Sequence, residues 1–375
     1  MPNHYWLIHL DGYVSNVDPG SIEAMDFGRD FHLRILGLLD PSKIDDIHFY
    51  ICIHPPAALP RLGKNVVLVI LGDEYHETFD YFRDILAVLR CYGTKPHYLD
   101  GLPVRMLSAL ALLQFAHKSL GPLKRRALRS LYTGKFRDPL SEKTLQMPLG
   151  CFVDYEPVVR PLADREIDFA FLGSVGTSGE DYGRFSLRSF LPPPKVKARR
   201  EMIDAITKMI GNSKWNGVLQ KTTTFADSTS RQDAYHETMA RTKISICPRG
   251  SNYETYRFYE SCRAGCVVIC EPLPNVWFYE GHPGIIIRDW KRLPHLLDSL
   301  LADPERLQEL SAASRQFWNE NLSRTVIAAR IERHLTNQIL RNSGDATTSA
   351  TRLYSAHPPS EGMAARMANS SDGPK

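Results

Sequence analysis

Short apolar runs alternate with helical patterns along the first half of the chain. YWLIHL (5–10), HFYICI (48–53) and NVVLVIL (65–71) are rich in β-branched and aromatic residues and predict buried strands. Between and after them, IEAMDFGRDFHLRILGLL (22–39) and YFRDILAVLRCYG (81–93) carry apolar positions at helical spacing, and Gly93 supplies a helix stop. Strands that alternate with helices imply parallel pairing and an α/β layer structure.

The pattern then restarts. DFAFLGSVG (168–176) predicts a strand running into a Gly/Ser turn, and KVKARREMIDAITKMI (195–210) the helix after it. A strand near GVLQKTTTF, a helix near RQDAYHETMAR and the strands KISIC (243–247) and GCVVIC (265–270) follow. Three helical patterns close the fold: RLPHLLDSLLA, PERLQELSAASRQFWNENL and RTVIAARIERHLTNQIL. The expected organisation is two Rossmann-like α/β units, residues 1–160 and 161–341. Residues 342–375, rich in Ser, Ala, Gly and Pro, are expected to be a disordered tail.

Length and composition agree with two soluble units: 375 residues exceed one ordinary core, with 43% apolar and 23% charged residues. A net charge of +4 decides nothing about nucleic acid. Seven cysteines without framework spacing predict reduced thiols in a cytoplasmic compartment. MPNHYWLIHLDGY lacks a basic region followed by a long apolar core, so no signal peptide is expected. The longest apolar stretch, 101–123, is interrupted by Arg105, Gln114, His117 and Lys118, and predicts no membrane-spanning helix. The run 118–137 holds seven basic residues and no acidic one, which suits peripheral contact with the inner face of a membrane and presentation of a lipid-linked acceptor. The alternative is a solvated basic loop. With only Tyr132 and Phe136 as aromatics, the run fits nucleic acid poorly.

The candidate chemistry lies in CPRGSNYETYRFYESCRAG (247–265), an apolar strand that breaks at Pro-Arg-Gly and opens a helix. Ser251 or Asn252 is a candidate N-cap, with Glu254 completing a capping box. A helix N-terminus attracts anions. At 100° per residue, Tyr253, Arg257 and Glu260 fall within about 60° of one another on one helix face. Arg257 is spaced to reach a phosphate bidentately, and Glu260 to accept from vicinal hydroxyls, a pairing that suits a ribose-diphosphate. The plain alternative is a surface i,i+3 ion pair contributing about 0.2–0.5 kcal/mol.

CPRGSNYETYRFYESCRAGCVVI resembles the C-terminal motif of the exostosin-like glycosyltransferases, family 47, with Arg249, Gly250, Arg257, Glu260, Ala264, Gly265 and Cys266 falling on it. VILGDEYHETFDYFRDILAVLRCYG, and MPLGCFVDYE leading to DFAFLGSVG, are similar to the same enzymes. The resemblance implies an α/β GT-B architecture: two facing Rossmann-like domains with parallel sheets, a C-terminal helical segment, and a donor held mainly by the second domain. It implies Arg257 on the diphosphate and Glu260 on the ribose, with Arg249, Gly250, Ser251 and Tyr253 around them. Gly173, Ser174 and either Arg199 or Arg200 would face the phosphates from the other side of the cleft. Ser261 stands where the family has Ala, and Val267-Val268 where it has Ile-Pro.

The expected activity is transfer of a sugar from a nucleoside-diphosphate sugar to a glycan or glycolipid. No cofactor is expected, and the lack of an Asp-x-Asp motif predicts metal independence. The general base is expected from the first unit, at Glu74 first and Asp11 second, with Asp73 and His9 also candidates; each could instead be a loop residue capping the next helix. Inversion is implied by the family alone. The alternatives are a nucleotide-sugar epimerase on the same fold and a non-catalytic nucleotide-sugar binding protein. Cys262, Cys266 and Cys270 are spaced at four across a helix-to-strand change, so buried thiols are expected rather than zinc.

Overall fold

In the computed structural model, residues 2–20, 30–72, 79–92, 142–174, 194–211, 214–222, 232–250 and 253–343 are described. The apolar runs form strands as predicted. The first sheet is built from β1 (His4–Ile8), β2 (Val14–Asn16), β3 (His48–Cys52), β4 (Gly63–Ile70), β5 (Ile85–Arg90) and β6 (Thr144–Gln146). Its order is β2-β1-β3-β4-β5-β6, parallel except for the β1–β2 hairpin, and α1 (Asp30–Gly37) precedes β3.

The second sheet contains β7 (Ile167–Ser174), β8 (Gly217–Thr222), β9 (Thr242–Cys247), β10 (Val267–Cys270) and β11 (Ile285–Ile286). The helices α2 (Pro194–Gly211), α3 (Gln232–Ala240) and α4 (Tyr256–Ala264) connect them, and α5 (Leu293–Leu301), α6 (Pro304–Phe317) and α7 (Arg324–Asn342) follow. The order is β11-β10-β9-β7-β8, all parallel. Counted from β7 this is 2-1-3-4-5, so the strand order reverses between β7 and β9. In open parallel sheets, ligands settle in the crevice at the carboxyl ends of the strands on either side of such a reversal. The described strands of the first sheet, β1, β3, β4, β5 and β6, lie side by side in chain order without one.

Two readings of the sequence are corrected. Residues 81–92 do not form the expected helix: a 3-10 turn at Asp80–Arg83 leads into β5, and Gly93 lies outside the described residues. Every residue of β5 is buried, because a parallel strand covered on both faces is a continuous apolar run. The capping box at Ser251–Glu254 also fails. The helix starts at Tyr256 behind Thr255, whose extended backbone precedes it without a side-chain cap. It ends at Gly265, whose left-handed φ of 68° lets its N–H and that of Cys266 turn back onto Cys262 and Ser261.

One apolar cluster runs through both sheets, from Phe49, Val67 and Leu89 by way of Met147 and Leu149 to Phe258 and Tyr259. The carboxyl edge of β6 therefore meets the helix that follows β9, and Trp277 Nε1 fastens the join by donating to Gln146 O at 2.8 Å. α7 returns to the first sheet, packing on α1 and β5, and its Gln338 donates to Glu142 O at 2.7 Å. All seven cysteines are buried and free. Among the described residues no helix is long and apolar enough to cross a membrane. The basic run 118–137 and the chain beyond Ser343 lie outside the described residues.

Candidate active site

The site forms at the reversal between β7 and β9. β7 ends at Gly173 and Ser174, β9 runs into Pro248-Arg249-Gly250, and α4 sends Arg257 back across the strand ends. Arg257 Nε donates to Leu172 O at 2.7 Å, Nη2 reaches the same carbonyl, and the guanidinium lies 4.5 Å from the centre of the Phe171 ring. Gly173 has φ +148°, a conformation that favours glycine, and a Cβ there would collide with Arg257 Nη2. Arg257 is buried, as is Glu260, and each has its own partners, so they are not a surface ion pair.

Two further arginines converge on the same strand ends. Arg199, from the first turns of α2, donates from Nε to Arg249 O at 3.2 Å and from Nη1 to Ser174 O. Burial and then the neighbouring Arg257 push its pKa down to about 9, against the pull of Glu271. Arg249 is buried against Tyr253, with its guanidinium 4.2 Å from the ring centre, and its backbone N–H donates to Glu271 Oε2 at 2.8 Å. Burial raises the Glu271 carboxyl above its ordinary range, while Arg249 and Arg199 draw it back down. Three guanidiniums thus crowd the carboxyl ends of β7 and β9, and Glu271 offsets part of their charge. Packing like charges this closely is unfavourable until an anion enters, and guanidinium geometry fits phosphate oxygens.

The geometry resolves and corrects the expected set. Arg199, not Arg200, belongs to the site: Arg200 is exposed on another face of α2. Gly173, Ser174 and Arg199 do not lie across a cleft from Arg257; all four belong to one sheet edge. Tyr253 precedes the helix instead of sharing its face, and supports Arg249. Gly250 ends the described loop, whereas Ser251 lies outside the described residues, as do Asp73 and Glu74. Asp11 is exposed on the β1–β2 hairpin, where Oδ1 accepts from Tyr13 N at 3.0 Å, a turn-stabilising role. His9 Nε2 lies 2.9 Å from Ser15 Oγ in the same hairpin.

Glu260 ties α4 to α3 and to the segment that follows β6. Its Oε2 accepts from Tyr235 OH at 2.5 Å and its Oε1 from Phe152 N at 3.1 Å. Burial raises its pKa, opposed first by Tyr235 and Phe152 and then by Arg257 and Arg263. The sequence did not reveal Glu271, Tyr235 or this bond to Phe152, because each partner comes from a different element. It did show the Ser261 substitution, and the structure explains it. Ser261 Oγ lies 2.7 Å from Ser245 Oγ and 2.5 Å from Arg257 O, so the buried hydroxyl is satisfied.

Fold and site together define an α/β protein with a cationic, phosphate-suited centre at a strand-order reversal. Residues 195–321 match the model of the RXYLT1 C-terminal domain family, a span that includes Arg199, Arg249, Arg257, Glu260 and Glu271. The chain is 35% identical over 83 residues to Ribitol-5-phosphate xylosyltransferase 1 of Danio rerio, covering 19% of each chain. It is 25% identical over 128 residues to the Mus musculus protein of the same name, covering 29% of each. The matched part therefore spans less than a third of either relative's length. Among solved structures, the chain is similar to a mutant of S. aureus TarM in complex with fondaparinux, alpha-GlcNAc-glycerol and UDP, with 11% identity, a TM-score of 0.40 and coverage of 82% of this chain and 59% of that one. It is also similar to AviGT4, a glycosyltransferase involved in avilamycin A biosynthesis, with 12% identity, a TM-score of 0.37 and coverage of 91% and 99%. The exostosin-like likeness remains a resemblance of motifs; the matched family model is a different one.

Proposed function

We propose that the chain is a glycosyltransferase that takes a nucleoside-diphosphate sugar as donor and a glycan or glycolipid as acceptor. The observation that carries this is the convergence of Arg199, Arg249 and Arg257 at the strand-order reversal of the second sheet. The family match over this segment and the names of the relatives support the same reading. Xylose in those names makes a pentosyl donor the first to try.

In this reading, Arg257 and Arg199 stabilise the charge that develops on the leaving diphosphate, and Arg249 holds the loop against it. A preorganised group of this kind contributes about 10²–10³ in turnover. Metal independence follows as an expectation, since fixed guanidiniums supply the charge a divalent ion otherwise would. Glu271 and Tyr253 position Arg249. Glu260 holds Phe152 and Tyr235, and the two bonds it accepts leave lone pairs for a ribose hydroxyl. For the base, Glu74 is the first choice and Asp73 the second, because Asp11 is committed to its turn. Membrane contact through 118–137 rests on the sequence alone.

The test is thermal stabilisation by UDP, GDP, CDP and dTDP, on the wild type and on Arg257→Ala. A ligand at a hundred times its dissociation constant adds about 2.7 kcal/mol. Stabilisation of the wild type by one nucleotide, lost in the variant, supports the reading; stabilisation by none of them overturns it. Release of free nucleotide only when an acceptor is present then separates a transferase from an epimerase or a sensor.

A further inference from the structure

At the opposite, amino-terminal edge of the first sheet, two histidines and an aspartate come together outside the site described above. His4 opens β1 and His48 opens β3, and the two are register partners on adjacent parallel strands. Register partners present their side chains on the same face of a sheet. Their rings lie 4.7 Å apart between centroids. Asp46 precedes β3 with a left-handed φ of 56°. Asn65 fixes it there, donating from Nδ2 to the Asp46 carbonyl at 2.9 Å and lying 3.4 Å from Oδ2. The other carboxylate oxygen, Oδ1, is thereby left facing His4 Nε2 at 4.0 Å.

That separation is too long for a hydrogen bond, and it is about half an ångström wider than two donors on one tetrahedral zinc, which stand about 3.3–3.6 Å apart at bond lengths of about 2.0–2.2 Å. One ligand atom from each of His4, Asp46 and His48 lies within 4.8 Å of the others. The side chains of His4 and Asp46 are 38% and 40% exposed, so the group is open to solvent, and convergence requires a shift of about an ångström or less, chiefly of the His4 ring.

His48 adds a second observation. Its Nε2 lies 2.8 Å from Arg61 Nη1, and its Nδ1 lies 3.4 Å from Trp6 Nε1. A guanidinium only donates, so the shorter contact makes Nε2 present a lone pair. An exposed cationic side chain thus occupies the lone pair that a metal cation would use.

We propose that His4, Asp46 and His48 form a binding site for a divalent transition metal of the zinc class, with Arg61 as an internal competitor for the His48 nitrogen. Two imidazoles and a carboxylate are the donor set of borderline ions, not of magnesium or calcium. The site lies at the strand ends opposite those that carry Arg257, so its bound ion would tie β1 to β3 and take no part in sugar transfer.

The experiment is calorimetric titration of the tag-free, chelator-stripped full chain with zinc chloride, with visible absorption of cobalt(II) as a second readout. One equivalent should bind, at least tenfold more weakly in His4→Ala and His48→Ala, and severalfold more tightly in Arg61→Ala, each variant first checked for an unchanged melting profile. The arginine variant keeps the ligands intact, so it decides the matter if a histidine variant fails to fold. Absence of stoichiometric binding in both the wild type and Arg61→Ala overturns the proposal, as does binding that the histidine substitutions leave unchanged. Nucleotide stabilisation should be the same with and without zinc.

Discussion

The guanidinium of Arg257 occupies the space that a side chain at position 173 would need. Gly173 is held at φ +148°, and a Cβ built on it runs into Arg257 Nη2. Gly173→Ala should therefore displace Arg257 from the strand ends and cut nucleotide affinity about as deeply as Arg257→Ala does, by tenfold or more if a charge-assisted contact of about 1.5–3 kcal/mol is lost. Calorimetric titration with the stabilising nucleotide checks this. Affinity within twofold of wild type would mean that Arg257 does not contact the ligand.

If Arg199 holds the diphosphate, nucleotide binding should weaken at alkaline pH. Its pKa of about 9 means that it is charged below that value and neutral above it. Nucleotide affinity should hold from neutral pH to about 8 and fall as pH rises through 9, and Arg199→Ala should be weaker throughout and lose that step. Unfolding does not explain such a fall. The unfolded chain holds the Arg199 proton to a higher pH than the folded one, so deprotonation between about 9 and the ordinary guanidinium value relieves a cost of folding. A wild-type profile without the step would place Arg199 away from the ligand.

A buried ion cluster holds the two sheets together. Asp154, with 1% of its side chain exposed, pairs with Arg263 of α4 at 2.9 Å, Arg324 of α7 at 2.8 Å and Arg34 of α1 at 3.4 Å. Asp154→Ala leaves Arg263 buried without this partner and should cost about 3–5 kcal/mol in urea unfolding. Glu156 touches Arg263 and Arg324 as well, but its side chain is 74% exposed. Its removal should cost under about 1 kcal/mol. Equal effects of the two substitutions would refute the assignment of the clamp to Asp154.

Glu260 should separate charge from hydrogen bonding. Burial raises its pKa, so the folded chain carries its negative charge at a cost that grows as pH rises through the folded value. Glu260→Gln removes that charge and keeps oxygen and nitrogen within reach of Phe152 N and Tyr235 OH. It should unfold within about 1 kcal/mol of wild type, whereas Glu260→Ala strands both groups and should cost about 1–3 kcal/mol. If both variants unfold like the wild type, the bonds to Phe152 and Tyr235 contribute nothing.

Much of this architecture is legible in the chain. Apolar runs located the central strands of both sheets, and the break after KISIC located the turn on which the site is built. Residues 85–90 were misread because a strand buried on both faces and a buried helix leave the same unbroken apolar run. β2, β6 and β11 span three, three and two residues, too few for any periodicity to register. The spacing of Ser251 and Glu254 fitted a capping box, but the helix begins only after Thr255, and Glu254 is buried, accepting from Tyr259 OH at 3.3 Å.

Sequence alone determined what neighbouring residues decide between themselves: the alternation of strands and helices, the Pro-Arg-Gly break, and the candidacy of Arg257. Tertiary structure decided which distant groups share a space. Arg199, Arg249 and Arg257 come from α2, the loop after β9 and α4, and only the order in which β7 and β9 lie side by side brings them to one crevice. The choice of Arg199 over Arg200, the recruitment of Glu271 and the bond from Phe152 to Glu260 have the same origin. Local pattern fixes the periodicity of a segment; strand order and helix rotation, set by burial of the whole apolar surface, fix where its charges meet.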